Sequence, residues 1–171
     1  IADHYHVDKK LVVDITHLSE IGGSCITDQN IEVPDADLEN EDIPISYVPF
    51  RNANILVIAT SWAEVLGATA IYVGAVEEDS SGYPDCRRSF FDAFENTIDT
   101  GTKPDTHIKI ITPLITLSKK DIVEKGIVLE APLHLTWSCY QNEDIPCGEC
   151  DSCALRARGF DEAGFRDTIL T

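Results

Sequence analysis

The sequence predicts an α/β protein built on a parallel sheet, and three observations carry that prediction. Ala70 to Val76 is a near-continuous apolar run, the composition of a strand covered on both faces. Ile108 to Ile111 is a second strand-like run. Between them Phe90, Phe94 and Ile98 recur every four residues, the spacing of a helix that lays one face on a sheet.

The remaining elements are taken in chain order. Residues 1–8 read as the end of a helix, and Leu11-Val12-Val13-Asp14-Ile15 as a strand rich in β-branched residues. Gly22-Gly23 then interrupts any regular element. From Asp28 to Asp42 the chain carries seven acids and no base, with Pro34 inside the stretch. Such a run repels itself and resists packing, so it is expected to be a solvated loop or a mobile lid over a site. Asn52 to Leu66 is helical and apolar almost all round, which predicts a buried helix stopped by Gly67. Glu77 to Arg88 reads as a loop, with Asp85 placed to cap the helix that ends at Gly101. Ser118-Lys119-Lys120-Asp121 resembles a capping box with Asp in place of Glu, opening a short helix that stops at Gly126. His134 to Trp137 is expected to be extended. A cysteine-rich segment and a helical tail close the chain. The expected division is an α/β domain over residues 1–132 and a zinc-binding segment with packed C-terminal helices over residues 133–171.

Composition narrows the function. The 171 residues carry 13 basic and 30 acidic side chains, a net charge of −17. That balance argues against a broad nucleic-acid footprint and against docking on anionic lipid. No run approaches the length of a membrane span, and no signal segment opens the chain. The chain has no methionine, and only about three strands are evident for a covered parallel sheet. It is therefore expected to be a fragment of a longer α/β domain.

Cys139, Cys147, Cys150 and Cys153 give the spacing C-x7-C-x2-C-x2-C. Two-residue gaps let neighbouring thiolates turn back onto one ion, and four thiolates suit tetrahedral zinc with no open position, which makes the metal structural. An iron–sulfur cluster is the main rival, and two disulfides are the bland alternative. A four-thiolate zinc carries a net charge of −2, which Arg156 and Arg158 could offset unless they are simply surface residues. Cys25 reads as an inert small residue. Cys86 reads as a packing residue, with a reactive thiol as the alternative. The five histidines show no metal-ligand spacing.

Five of the six arginines fall in three short segments: Arg51; Arg87 and Arg88; Arg156 and Arg158. Arginine forks suit carboxylates and phosphates. Arg51 opens a helix, where free N–H groups also favour anions, and Arg87-Arg88 open another. Loops before such helices lie where ligands of α/β sheets bind. The residues by themselves predict an anion-binding α/β enzyme with a structural zinc, and no particular substrate.

Four ordered motifs go further. Tyr47-Val48-Pro49-Phe50-Arg51-Asn52, the run Glu77 to Arg87 with Ser80-Ser81-Gly82-Tyr83-Pro84-Asp85-Cys86-Arg87, Leu135-Thr136-Trp137-Ser138-Cys139-Tyr140, and Cys147-Gly148-Glu149-Cys150-Asp151-Ser152-Cys153-Ala154-Leu155-Arg156 resemble the 7-cyano-7-deazaguanine synthases (QueC) of queuosine biosynthesis. The resemblance runs from about Ile1 to Phe160. It implies a Rossmann-like fold of the adenine nucleotide α-hydrolase type and an ATP-dependent carbon–nitrogen ligase. The implied reaction takes 7-carboxy-7-deazaguanine and ammonia through an activated carboxylate and an activated amide to the nitrile. ATP, Mg²⁺ and a structural Zn²⁺ are implied, with a homodimer as the assembly and the cytoplasm as the location.

The family's phosphate loop, Ser-Gly-Gly-x-Asp-Ser, is not in this sequence. Ile21-Gly22-Gly23-Ser24-Cys25 lacks the leading Ser and the Asp. The chain is accordingly expected to begin after the family's first strands. The resemblance makes Arg51, Arg87 and Asp85 the catalytic candidates, and Asn52, Glu78, Asp79, Ser81, Gly82 and Tyr83 the substrate-binding ones. Within these, Arg51 and Arg87 would bind anions. Asn52, Glu78, Asp79 and Asp85 would read a purine-like edge or hold Mg²⁺, and Tyr83 would shape the loop or stack on the base. Two other readings compete: a different ATP-activating amide- or sulfur-transfer ligase of the same superfamily, and a non-catalytic zinc-stabilised binding module.

Overall fold

A computed structural model describes residues 1–40, 42–77 and 82–170. In chain order its elements are α1 (His17–Ile21), α2 (Arg51–Leu66), β1 (Ala70–Tyr72), α3 (Arg88–Gly101), β2 (Lys109–Ile111), α4 (Lys119–Val128) and α5 (Asp151–Ala163), with 3-10 turns at Pro84–Cys86 and Leu133–Leu135. They form two compact units, one over Glu41–Ser118 and one over Ile1–Asn40 with Lys119–Thr171.

The Glu41–Ser118 unit holds the mixed α/β core. β1 and β2 pair in parallel, Ala70 with Lys109, Ile71 with Ile110 and Tyr72 with Ile111. Pairing extends past the strands: the N–H of Lys109 donates to Thr69 O at 3.0 Å, that of Val73 to Ile111 O at 2.9 Å, and that of Glu77 to Ile115 O at 2.8 Å. Parallel strands need a long crossover, and α3 lies in it. Phe91 and Ile98 from α3 meet Leu56 and Ala63 from α2 and Ile108 and Ile110 of the second strand run in one core. The apolar period read between residues 90 and 98 thus becomes the inner face of α3.

α2 forms over the expected residues and ends as expected at Gly67, whose left-handed backbone (φ 66°) lets its N–H return to Ala63 O and Glu64 O. Its burial differs from expectation. Ala53, Leu56 and Ala63 are buried, whereas Val57 and Val65 are 57% and 81% exposed. A helix turns one stripe toward a core, and apolar composition cannot enlarge that stripe.

Further local expectations need correction. Leu11 to Ile15 is not a strand; Val12 is 95% exposed, and the segment joins no ladder among the described residues. β-branched residues favour extension, but a strand exists only with a partner. Residues 1–8 form successive turns rather than a helix end, with His6 at φ 50°. His134 lies in the Leu133–Leu135 3-10 turn, so the 134–137 stretch does not begin extended. Gly126 does not stop α4, which runs on to Val128. A Cβ there would meet Leu133 Cδ2 at 3.1 Å, so this glycine marks close packing.

In the other unit α4 packs on α5. Gly159 on α5 sits so near α4 that a Cβ would lie 2.7 Å from Lys119 Cβ. Arg156 clasps the residues beyond α5. Its Nε donates to Asp167 Oδ2 at 2.5 Å and its Nη2 to Asp167 Oδ1 at 3.0 Å, while Nη1 reaches Thr136 Oγ1 at 2.8 Å. The guanidinium also lies 5.2 Å over the Phe160 ring. Both charged side chains are nearly buried, 11% and 7% exposed.

Burial pushes the Asp167 carboxyl up, but the Arg156 guanidinium and the N–H groups of Ile169 and Thr168 outweigh it and hold it below the usual carboxylate value. A carboxyl whose folded value is depressed stabilises the fold above the unfolded value, near 4, and loses that contribution as pH falls through the folded one. Asp167→Asn is expected to cost about 3–5 kcal/mol at neutral pH, because it leaves a buried guanidinium uncompensated. It should also flatten the loss of stability below about pH 4. Urea unfolding of both proteins across that range measures each effect.

Candidate functional site

Two side-chain constellations carry chemistry, one in each unit. In the Glu41–Ser118 unit the first turn of α2 is held to the Pro84–Cys86 turn. The N–H of Asn52 donates to Asp85 Oδ2 at 2.9 Å, and its Nδ2 donates to Asp85 O at 2.9 Å and to Cys86 Sγ at 3.3 Å. Asp85 is 3% exposed. The expected cap on α3 is therefore a cap on α2 instead, because the 3-10 turn aims this carboxylate at the positive end of the earlier helix. The start of α3 receives Glu77, whose Oε2 accepts the Arg88 N–H at 2.9 Å.

A second tie lies beside the first. Ser46 Oγ and Tyr83 OH are 2.8 Å apart, and the Tyr47 and Tyr83 rings stack at a tilt with centroids 5.7 Å apart. The Phe50 N–H donates to Tyr47 OH at 3.1 Å, and Phe50 is left-handed at φ 58°. A non-glycine residue in that region stores strain and persists only when its surroundings hold it. Phe50 turns the chain so that Arg51 opens α2.

The arginines sort by partner. Arg88 is used within the fold, donating to Asp92 Oδ1 at 3.0 Å and to Thr112 Oγ1 at 2.7 Å. Arg51 and Arg87 make no ion pair with any carboxylate among the described residues. Because Asn52 is bonded to both Asp85 and Cys86, these two arginines flank one staple. The planar guanidinium fork of each suits carboxylates and phosphates.

In the other unit the four Sγ atoms of Cys139, Cys147, Cys150 and Cys153 lie within 4.8 Å of one another. Cys150 caps α5 and Cys153 sits one turn in, so both sulfurs share a face of the first turn. Gly148, at φ 80°, supplies the reversal between Cys147 and Cys150. The long gap is folded by Trp137 Nε1 donating to Asn142 O at 3.0 Å and by Asn142 Nδ2 donating to Ile145 O at 2.9 Å.

This donor set fits one tetrahedral ion. Zn–S bonds of about 2.3 Å place sulfurs roughly 3.8 Å apart. Cys147 Sγ and Cys153 Sγ are 3.9 Å apart. Sulfurs gathered this tightly surround a single ion, whereas thiolates of a multi-iron cluster sit on separate irons. All six cysteines are free thiols. Burial pushes the Cys139 thiol up, but N–H groups of Cys147, Asn142 and Gln141 prevail and bring it down to about 6. Burial drives Cys153 up to about 12, with Cys150 and Cys139 adding to the rise. A divalent cation brings such a pair to thiolates together. Arg156 does not serve this ion, since its guanidinium is committed to Asp167.

Residues 1–164 match the family model described as "Queuosine biosynthesis protein QueC". The chain is 57% identical over 169 residues to a 7-cyano-7-deazaguanine synthase of Chlorobaculum parvum, covering 99% of this chain and 74% of that one. Synthases of the same description from Chlorobium phaeobacteroides and Chlorobaculum tepidum are also 57% identical, with 75% and 74% of their lengths covered. The chain belongs to the QueC family.

The QueC motifs occupy definite places in the fold. Asn52 and Asp85 are bonded to each other, with Arg51 and Arg87 next to the bonded residues Asn52 and Cys86 in the chain. Tyr83 is 6% exposed and held by Ser46, while Gly82 is exposed at φ 73°. Glu78, Asp79 and Ser81 lie outside the described residues. Cys86 is buried beside Asn52, and Cys25 is buried with its thiol pushed up by that burial. Ser46 carries no mark of a site residue in the sequence, and Glu77 is marked only as the first residue of a motif run. Their roles depend on partners 37 and 11 residues away, and no local pattern signals them. Among the described residues no helix is long and apolar enough to cross a membrane.

Proposed function

We propose that this QueC chain is an ATP-dependent carbon–nitrogen ligase that converts 7-carboxy-7-deazaguanine and ammonia to 7-cyano-7-deazaguanine. The observation that carries the reading is 57% identity to synthases of that product across nearly the whole chain. An adenine nucleotide α-hydrolase fold goes with it, supported by the parallel β1–α3–β2 crossover. The substrate contacts would come from the Glu41–Ser118 unit, and the metal would be held within residues 133–171.

The chemistry turns a poor leaving oxygen into a good one twice. ATP activates the substrate carboxylate, ammonia displaces the activated oxygen to give the amide, and activation of the amide oxygen allows elimination to the nitrile. Negative charge develops on phosphate oxygens in each activation. Arg51 and Arg87 would receive that charge as fixed cations, with no reorganisation at the moment of reaction. Asp85 and Asn52 would hold the two arginines in register, and Tyr83 would shape the loop from within. Glu78, Asp79, Ser81 and Gly82 would complete the substrate contacts. Mg²⁺ would supply charge neutralisation on ATP, and the four cysteines would hold a structural Zn²⁺. A second copy of the chain would be the partner, a reading supported by exposed Val57 and Val65 on α2. The free cysteines support a reducing compartment, the cytoplasm.

The test is nitrile formation by the complete protein from 7-carboxy-7-deazaguanine, ammonia and ATP, followed by mass spectrometry. Arg51→Ala and Arg87→Ala are each expected to lower kcat/KM by about a hundredfold, the scale of losing one charged transition-state donor. Unchanged turnover in both variants would remove the arginines from the mechanism. Turnover with a sulfur donor in place of ammonia would redirect the reading to another ligase.

A further inference from the structure

We propose that the cysteine segment latches the acidic strap over residues 33–37, and that the latch is closed only while a metal ion is bound. The inference rests on the metal reading of the four cysteines and goes beyond it, because it assigns that ion a second consequence far along the chain.

Three hydrogen bonds define the latch. The Ala36 N–H donates to Glu149 O at 2.8 Å, and the Asp37 N–H donates to Asp151 Oδ1 at 3.0 Å. Gln141 Nε2 donates to Val33 O at 3.3 Å. Every partner neighbours a metal ligand. Glu149 lies between Cys147 and Cys150, Asp151 follows Cys150, and Gln141 stands two residues after Cys139. These bonds join parts of the chain more than a hundred residues apart, and the strap has no helix or strand of its own.

Charge does not hold the strap there. Asp35, Asp37 and Glu39 are exposed on the strap, and the loaded site of the segment it is bonded to would itself carry a net −2. Directed hydrogen bonds must therefore hold it, and they demand that the Cys147–Asp151 turn keep its shape. That shape depends on where the sulfurs stand: the Cys150 N–H donates to Cys147 Sγ at 3.4 Å, and the N–H groups of Asn142 and Cys147 donate to Cys139 Sγ at 3.3 and 3.4 Å. A bound ion ties all four sulfurs to one point and so fixes the acceptors of these bonds. Without it the sulfurs part, Glu149 O and Asp151 Oδ1 lose their aim, and the self-repelling strap is released.

Hydrogen exchange read by mass spectrometry tests this on the full chain as purified with zinc, after stripping by a chelator, and after refilling. The amides of Ala36 and Asp37 are expected to exchange about tenfold or more faster when stripped, and to recover on refilling. Asp151→Ala separates the latch from general unfolding. It should retain one zinc per chain and a protected α5 while residue 37 exchanges at the stripped rate. Metal that binds and leaves with no change at residues 36 and 37 overturns the latch and leaves the metal reading standing. The latch is also overturned if Asp151→Ala exchanges like the unaltered chain. A chain that binds no metal overturns both.

Discussion

Replacing Cys150 by serine is expected to abolish metal binding and to melt the helical end of the chain. Cys150 is fully buried and belongs at once to the four-cysteine cluster and to the N-cap of α5. Structural zinc contributes roughly 10–16 kcal/mol in small zinc-folded peptides at neutral pH. Whole domains are stable by only about 5–15 kcal/mol, so losing even part of that term is decisive. Serine is a poor ligand for a soft tetrahedral site, and it leaves a polar hydroxyl in a pocket shaped for sulfur. The expected readout is less than stoichiometric metal, reduced helical circular dichroism, and increased protease sensitivity within residues 133–163. Full metal content with unchanged thermal unfolding would refute the four-cysteine site. Raising pH above neutral should strengthen binding, because burial holds the Cys153 thiol protonated above its ordinary range and the ion must displace that proton.

Asp85→Ala is the second large effect, and it should appear in catalysis more than in folding. The substitution removes a buried carboxylate from an N–H in the first turn of α2. Charge-assisted hydrogen bonds contribute about 1.5–3 kcal/mol, which the fold can survive. The register of Arg51 against Arg87 cannot, since misplacement by about 1 Å costs on the order of a hundredfold in rate. Asp85→Asn separates this positioning role from a direct one. The amide oxygen of that variant still accepts the Asn52 N–H, so kcat should recover to within about tenfold of the unaltered enzyme if Asp85 acts through the staple. If Asp85→Asn is as inactive as Asp85→Ala, the carboxylate charge itself takes part, as a metal ligand or on substrate.

How much of this is legible in the sequence depends on the range of the interaction. Ala70 to Val76 and Ile108 to Ile111 announce two parallel strands because apolar and β-branched runs favour extension, but they overstate the cover: Tyr72 is 74% exposed, and of β2 only Ile110 is buried. The phenylalanine period announces α3 because that spacing lays one helix face on a core. The four cysteines announce a cluster able to hold a metal because their spacing brings the four sulfurs together. Asp85 misleads because a cap is recognised by the helix just after it, while its partner, Asn52, precedes it by 33 residues. Gly126 misleads because a helix stop and a close contact leave the same letter. Leu11 to Ile15 misleads because strand propensity says nothing about whether a partner exists. The clustering of arginines is informative from the sequence alone. That Arg88 and Arg156 are paired within the fold, while Arg51 and Arg87 meet no carboxylate among the described residues, requires the carboxylates to be located.

The borrowed cap on α2 also bears on the order in which the protein assembles. Residues 51–66 can wind into a helix as soon as they leave the ribosome, since helix formation is local and fast. Its first turn cannot be finished by its own neighbourhood, because Phe50 offers no side-chain acceptor and Asp85 has not yet been made. Some twenty further residues, including β1, must emerge after the helix before that acceptor arrives. A nascent chain therefore displays Arg51 on an unfinished helix until Asp85 has been made and accepts the Asn52 N–H.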